Sequence, residues 1–399
     1  MREHAALLAA IVAHPDEDTP RLAYADWLDE NRPDTKPSPA QGPSARAEFI
    51  RVQCRLAAIA PDDPDYPDLL DREHDLQTWL GAHDPDTVKL PAGLQGDDGP
   101  FRRGFLSQVA SEYGWNRPKA VARLCAALVK AFATTTADAL RLYAYTPTQT
   151  AELIRSPVAG RVRTLLLQSP AGDEFPTPDD GPTEDTPGAA EVIARALADS
   201  PHLGRLGDLR LFFPLSAAAA GILADAKTLD GLSHLTIMFG PDAVAAVAAL
   251  GRAGWFRDLR SLRIGQYLGD ETATALAGLS RFPHLHTLDL SHNDFTPDGL
   301  AALATSKAFP TLVALDLSHS MTRLTVAHLV ALGRANWKLA VLNLRSCGRA
   351  NDGVALLAAS RLLEGVRVAD LAANAIGAGG MKALAKSPHV ASLRHLDLE

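Results

Sequence analysis

The chain has 399 residues, of which 47% are hydrophobic and only 6% aromatic, so its apolar content is mostly Ala, Leu and Val. This composition suits a large core of small and branched side chains and excludes disorder over the whole chain. The net charge of -8 argues against a general nucleic-acid-binding protein. Its cysteines, Cys54, Cys125 and Cys347, lie far apart, so neither a disulfide framework nor a zinc site is expected.

The first predicted element is a helix that ends near His14 and Pro15. Its apolar run, Ala5 to Ala13, also fits a short signal sequence. We favour the helix, because Arg2 and Glu3 leave no clear positive charge at the start and the large apolar residues share one helical face. No run approaches the roughly 18 apolar residues of a membrane-spanning helix. We therefore expect a cytoplasmic protein with reduced thiols and no membrane partner.

Three further helices are predicted before residue 90. The second begins with Thr19 as N-cap and Pro20 at the first helical position. The third begins near Ser44, after a Pro-rich loop, and the fourth runs from Pro67 to Leu80. The acidic residues around the second helix are those favoured near a helix N-terminus and on a solvated face, so we expect no metal there.

Two segments of this block carry a family resemblance: HPDEDTPRLAYADWLDE, and ARAEFIRVQCRLA after it. The block resembles the bacterial repeat-companion domain, a short helical module that precedes repeat arrays. Its intervening stretch, KPSPAQGPS, is longer than is usual in that family. The resemblance implies a helical domain over residues 1–90 and no established reaction.

A repeat follows, and its clearest unit is Leu285-x-x-Leu288-x-Leu290-x-x-Asn293-x-Phe295. The alternating leucines bury one face of a strand, the Asn bonds backbone groups at the turn, and a helix packs behind. The same frame places the turn position at 145, 170, 214, 240, 267, 293, 320, 347 and 374. From 214 onward the steps are 26 or 27 residues, which indicates stacked repeats.

This pattern resembles the leucine-rich repeats of the long, helix-backed class typified by ribonuclease inhibitor. The resemblance implies an α/β solenoid over residues 100–399, with a parallel concave sheet and convex helices. Its first strand is expected at Phe101 to Ala110 and the first helix at Pro118 to Phe132.

Residues 171–187 are acidic and Pro-rich and predict a disordered insertion. We favour a tolerated insertion over an acidic docking segment. The last strand has no helix after it. Its unpaired edge is therefore either polar enough to be exposed to solvent, or it binds a partner.

Residues between the leucines point into the concave face and form a charged column. It begins with Arg141 and changes from basic to acidic, through Arg210 and Arg263 to Asp289 and Asp316. One interpretation is a bipolar groove for a partner of the opposite pattern. The other is that each Asp bonds locally, as is common in this repeat class.

Large apolar side chains gather next to this column: Phe212, Phe213, Met238, Phe239 and Tyr267. They predict a recognition patch, since aromatic residues and Met are favoured at interface centres. The alternative is that one or two of them fill the core.

No catalytic motif was found, and no cofactor is expected. His292 and His319 occupy the same repeat position and should stack, but no third ligand completes a metal site. The sequence therefore predicts a non-catalytic module that binds a protein or peptide on the concave face, not nucleic acid. The alternative is an enzyme or effector whose site joins Asp26, Arg46 and Glu48 in the N-terminal block. The oligomeric state is not predicted.

Overall fold

The computed structural model describes residues 2–14, 17–31, 44–59, 63, 65–83, 90–95, 101–103, 105–111, 120–143, 146–168, 188–265, 268–320, 325–348 and 351–398. The predicted insertion at 171–187 and Tyr267 lie outside these residues. The chain divides into two compact units, Met1–Tyr143 and Ala144–Glu399. None of the described helices combines the length and apolar character needed to cross a lipid bilayer.

The first unit starts with four helices: α1 (Arg2–Ala13), α2 (Thr19–Asn31), α3 (Ala45–Ala58) and α4 (Tyr66–His83). Ser44 caps α3 as predicted, because its side chain accepts a hydrogen bond from the Ala47 N–H at 3.2 Å. The helices pack through apolar faces that bury Ile11, Ala25, Leu28, Phe49, Ile50, Leu76 and Leu80.

Five short strands and one helix complete the first unit: β1 (Leu94–Gln95), β2 (Phe101–Arg102), β3 (Phe105–Leu106), β4 (Gln108–Ser111), α5 (Ala120–Thr134) and β5 (Ala139–Tyr143). The single strand predicted over Phe101 to Ala110 is wrong in detail. β2 pairs antiparallel with β3, and the chain turns at Arg103, whose φ is 53°. β4 is the strand that joins the parallel ladder, where Val109 pairs with Leu140 of β5.

The second unit contains nine strands among its described residues: β6 (Thr164–Gln168), β7 (Asp208–Leu215), β8 (His234–Phe239), β9 (Ser261–Gly265), β10 (Thr287–Asp289), β11 (Ala314–Asp316), β12 (Val341–Asn343), β13 (Val368–Asp370) and β14 (His395–Asp397). The helices between them are α6 (Pro147–Ile154), α7 (Ala189–Asp199), α8 (Ala217–Ala224), α9 (Ala243–Leu250), α10 (Gly254–Arg257), α11 (Asp270–Ala277), α12 (Pro297–Thr305), α13 (Val326–Leu332), α14 (Asn351–Ala359) and α15 (Ala378–Ala385).

All nine strands run parallel, and each pairs with the next one along the chain. Their register confirms the predicted repeat frame, because Leu288 pairs with Leu262 on one side and Leu315 on the other. The same column continues through Leu342, Ala369 and Leu396. The α/β leucine-rich-repeat solenoid predicted from the sequence is therefore the fold of this unit.

The turn column works as predicted at its asparagines. The Asn293 amide donates to the carbonyls of Ile264 at 2.7 Å and Leu290 at 3.0 Å, and its oxygen accepts from the Leu268 N–H at 3.0 Å. Asn374 makes the equivalent bonds three repeats later. Each such side chain satisfies buried backbone groups of its own repeat and of the preceding one, so it ties neighbouring repeats together.

A buried column of phenylalanines lies where the chain returns from helix to strand. Phe256, Phe282 and Phe309 are almost fully buried, with ring centroids 5.5 Å and 5.7 Å apart. Successive repeats supply one ring each, so these aromatic side chains belong to the core.

Candidate functional site

The charged column predicted for the sheet exists as one row across neighbouring strands. Arg210 pairs in register with Thr236, Thr236 with Arg263, and Arg263 with Asp289. Asp316 follows, and the row ends with Asn343, Asp370 and Asp397. We call these residues the strand row. Its members are partly exposed, as alternation along each strand predicts.

Each acidic residue in the middle of the strand row bonds its own strand. The Asp289 carboxylate accepts from the Ser291 N–H at 2.9 Å, and that of Asp316 accepts from the Ser318 N–H at 2.8 Å. Asn343 also donates to Asp316 at 2.8 Å. Burial is the main influence that raises the pKa of Asp316, and the nearby charge of Asp289 adds to it. The local-bonding interpretation therefore describes these carboxylates correctly.

Three arginines at the strand face of the second unit have acidic partners, whereas Arg141 lies over the Tyr143 ring, 4.4 Å from its centroid. Arg210 pairs with Asp208 at 2.7 Å, and Arg263 pairs with Asp289 at 3.2 Å. Arg345 lies among the acidic strands and pairs with Asp370 and Asp397, at 3.6 Å and 3.4 Å. The predicted change from basic to acidic along the face is thus offset by ion pairs, and the face presents mixed charge.

The predicted aromatic patch is divided by an irregularity in β7. Leu211 pairs with Ile237, but the next pair is Pro214 with Met238, so Phe212 and Phe213 form a two-residue bulge. Both phenylalanines are partly exposed there. Because a bulge re-aims side chains and disrupts the ladder locally, it explains how both can reach the surface.

Two other members of the patch are core residues. Met238 is only 4% exposed and Phe239 only 7%, because the regular alternation of β8 ends after Ile237. This corrects their prediction as contact residues. Tyr267 lies outside the described residues.

His292 and His319 stack as expected, with ring centroids 4.8 Å apart and planes 8° from parallel. Both have left-handed backbones, with φ of 59° and 55°. Burial is the largest cause of the lowered pKa of His292, followed by the charge of His319. Among the described residues, no group of three or more His, Cys, Asp or Glu side chains could hold a metal ion.

Each residue of the alternative site in the N-terminal block contacts a residue outside the predicted set. Asp26 pairs with Arg51 at 2.7 Å, while Glu48 pairs with Arg72 at 2.7 Å. The Arg46 guanidinium lies over the Phe49 ring, 5.8 Å from its centroid. The three predicted residues therefore engage separate partners.

Sequence reasoning missed two features of this region. The phenylalanine core column was visible as Phe at 256, 282 and 309, spaced by 26 and 27 residues. The β7 bulge had no comparable signal, because its two extra residues lie inside an apolar run, DLRLFFPL.

One family model agrees with the repeat architecture at a single unit. The Leucine Rich repeat family model matches residues 283–304, the unit with the clearest spacing. No curated protein matches the chain.

Solved structures show similarity at 14% identity. The yeast Rad7 and Elc1 complex covers 94% of this chain and 83% of its own, with a TM-score of 0.43. The mouse RP105/MD-1 complex covers 65% of this chain and 45% of its own, with a TM-score of 0.29. The present chain thus spans less than half of that mouse chain. The family match covers one repeat, and the strand register extends the same leucine spacing along the described strands of the second unit.

Proposed function

We propose that this chain is a non-catalytic module that binds a protein or peptide on the concave face of its repeat sheet. The observation that carries the proposal is the β7 bulge, which places Phe212 and Phe213 at the surface next to Arg210. Partly exposed phenylalanines on a rigid sheet are suitable anchors, because large apolar side chains supply most binding energy at interface centres.

The ion-paired strand row would surround these anchors with an ordered polar surface. Arg263, Asp289 and Asp316 are already held by their neighbours, so little side-chain freedom remains to be lost on binding. Their mixed charge favours a partner that offers both donors and acceptors. Tyr267 remains a proposed member of the surface, whereas Met238 and Phe239 support it from the core.

The same proposal includes the domain assignment. Residues 1–90 would form a repeat-companion domain and residues 100–399 the repeat array, acting in the cytoplasm without cofactor or nucleic acid. None of the three cysteines, Cys54, Cys125 and Cys347, forms a disulfide in the described structure, which suits a reducing compartment.

The test is affinity capture with the full-length protein, followed by cross-linking to map the contact. The informative variant is Phe212→Ala/Phe213→Ala. The matched control is Val326→Ala/Val330→Ala, which removes apolar side chains 46% and 49% exposed on α13. We expect the first variant to weaken binding at least about tenfold, since anchor residues contribute 2 kcal/mol or more. The control should bind like wild type.

Two results would contradict the proposal. One is equal capture by wild type and the phenylalanine variant. The other is a set of cross-links confined to surfaces other than the sheet between β7 and β11.

A further inference from the structure

A second charged surface lies at the edge of the repeat sheet where the strands begin. Backbone bonds define this edge: the His286 N–H donates to the Arg260 carbonyl at 2.9 Å, and the Val313 N–H donates to that of His286 at 2.9 Å. The ladder continues through Ala340 to Arg367 and Arg394, at 2.8 Å for each step. The segments that lead from each helix into the next strand therefore meet along one side of the unit.

These helix-to-strand segments are strongly basic. Counted between α6 and β14, outside the main helices and strands, they contain sixteen Lys or Arg and four Asp or Glu, a net charge of +12. The whole chain carries -8, so the remainder carries -20. Positive charge is thus concentrated in the helix-to-strand segments, although the net charge of the whole chain is negative.

Six exposed cations of these segments differ from the arginines of the strand row. In the part of the chain that the structure describes, no ion pair engages the exposed residues Arg252, Arg257, Arg260, Arg281, Lys307 and Arg334. We call these six residues the basic edge. The Phe282 N–H donates to the Ala308 carbonyl at 2.8 Å, so the segments that carry Arg281 and Lys307 lie side by side. The Debye length is about 10 Å, so cations of neighbouring segments act on a ligand together.

We infer that the basic edge binds an acidic, extended segment of a partner protein. Five of its six cations are arginines, and an arginine can donate two parallel hydrogen bonds to one carboxylate. Single-stranded nucleic acid fits less well, because it needs exposed aromatic rings for base stacking. Of the five aromatic residues in these segments, Trp255, Phe256, Phe282 and Phe309 are buried, and Trp337 is partly exposed. The large negative charge on the rest of the chain also disfavours a long polyanion.

The test is fluorescence anisotropy with a labelled peptide in which Glu alternates with Ser, and with a control peptide carrying Gln for Glu. The edge variant is Arg252→Glu/Arg281→Glu/Lys307→Glu. Its matched control, Arg123→Glu/Arg195→Glu/Lys382→Glu, makes the same change in net charge at exposed helix positions. Circular dichroism melting confirms that both variants fold.

We expect the Glu peptide, but not the Gln peptide, to bind wild type with an affinity that falls as salt rises. The edge variant should lose at least about tenfold in affinity and the control variant less than about threefold. Equal losses in both variants, no binding of the Glu peptide, or tighter binding of a DNA or RNA oligonucleotide would each overturn the inference. Phe212→Ala/Phe213→Ala should leave peptide binding unchanged, so this surface and the concave face are tested separately.

Discussion

Replacing Asn293 by alanine is expected to destabilise the repeat unit by about 3–5 kcal/mol, since its three shorter hydrogen bonds to buried backbone groups are lost, along with a longer one to the Ser291 carbonyl at 3.3 Å. The side chain is 1% exposed and bonds the carbonyls of Ile264 and Leu290 and the N–H of Leu268. Each buried backbone group left without a hydrogen bond costs about 1–3 kcal/mol. The surrounding structure relaxes in part, so the total destabilisation should lie near the lower end of the summed costs.

The assay is urea unfolding followed by circular dichroism. The matched control is Ser320→Ala in the next repeat, because Ser320 holds the same column position but donates only one hydrogen bond, to the Asn293 carbonyl at 3.0 Å. Its loss should cost about 1 kcal/mol. If Asn293→Ala destabilises no more than Ser320→Ala, the turn column does not tie the repeats together as described.

Three further predictions follow from the core and its titratable groups. Phe282→Ala should cost about 4 kcal/mol in the same assay and Phe282→Leu much less, because the ring is packed between Phe256 and Phe309. A lowered pKa for His292 means that the unfolded state binds protons more readily, so stability should fall as pH drops below 6.5. His292→Asn, which tolerates the left-handed backbone, should flatten that part of a stability–pH curve; an unchanged curve would contradict this assignment. Burial raises the pKa of the Cys347 thiol to about 12, so mass spectrometry should find a disulfide reagent on the half-buried Cys125 well before Cys347.

The repeat frame could be predicted because burial on one sheet face fixes the identity of alternate residues. The spacing around Leu288 specified which residues pair across strands, and the observed register follows it from Leu262 to Leu396. The Asn293 bonds could also be predicted, since they follow from the turn that every repeat must make.

The site was harder to predict because it depends on departures from the repeat. Phe212 and Phe213 reach the surface through a bulge that no residue near it in the sequence predicts. Met238 is buried because the alternation of buried and exposed residues in β8 ends before it. Aromatic residues are ambiguous in an aliphatic repeat, since the same residue type also forms the Phe282 core column. Only packing separates the two roles.

Geometry also changes what the net charge means. A side chain on a parallel strand lies beside the same position of the next strand. Arg263 therefore lies beside Asp289, and the two form an ion pair that neutralises both charges. Arg252 and Arg281 lie on helix-to-strand segments, are exposed, and have no ion pair in the described part of the chain. A whole-chain charge of -8 therefore argues against binding along the length of a polyanion. It does not argue against a short acidic ligand at the basic edge.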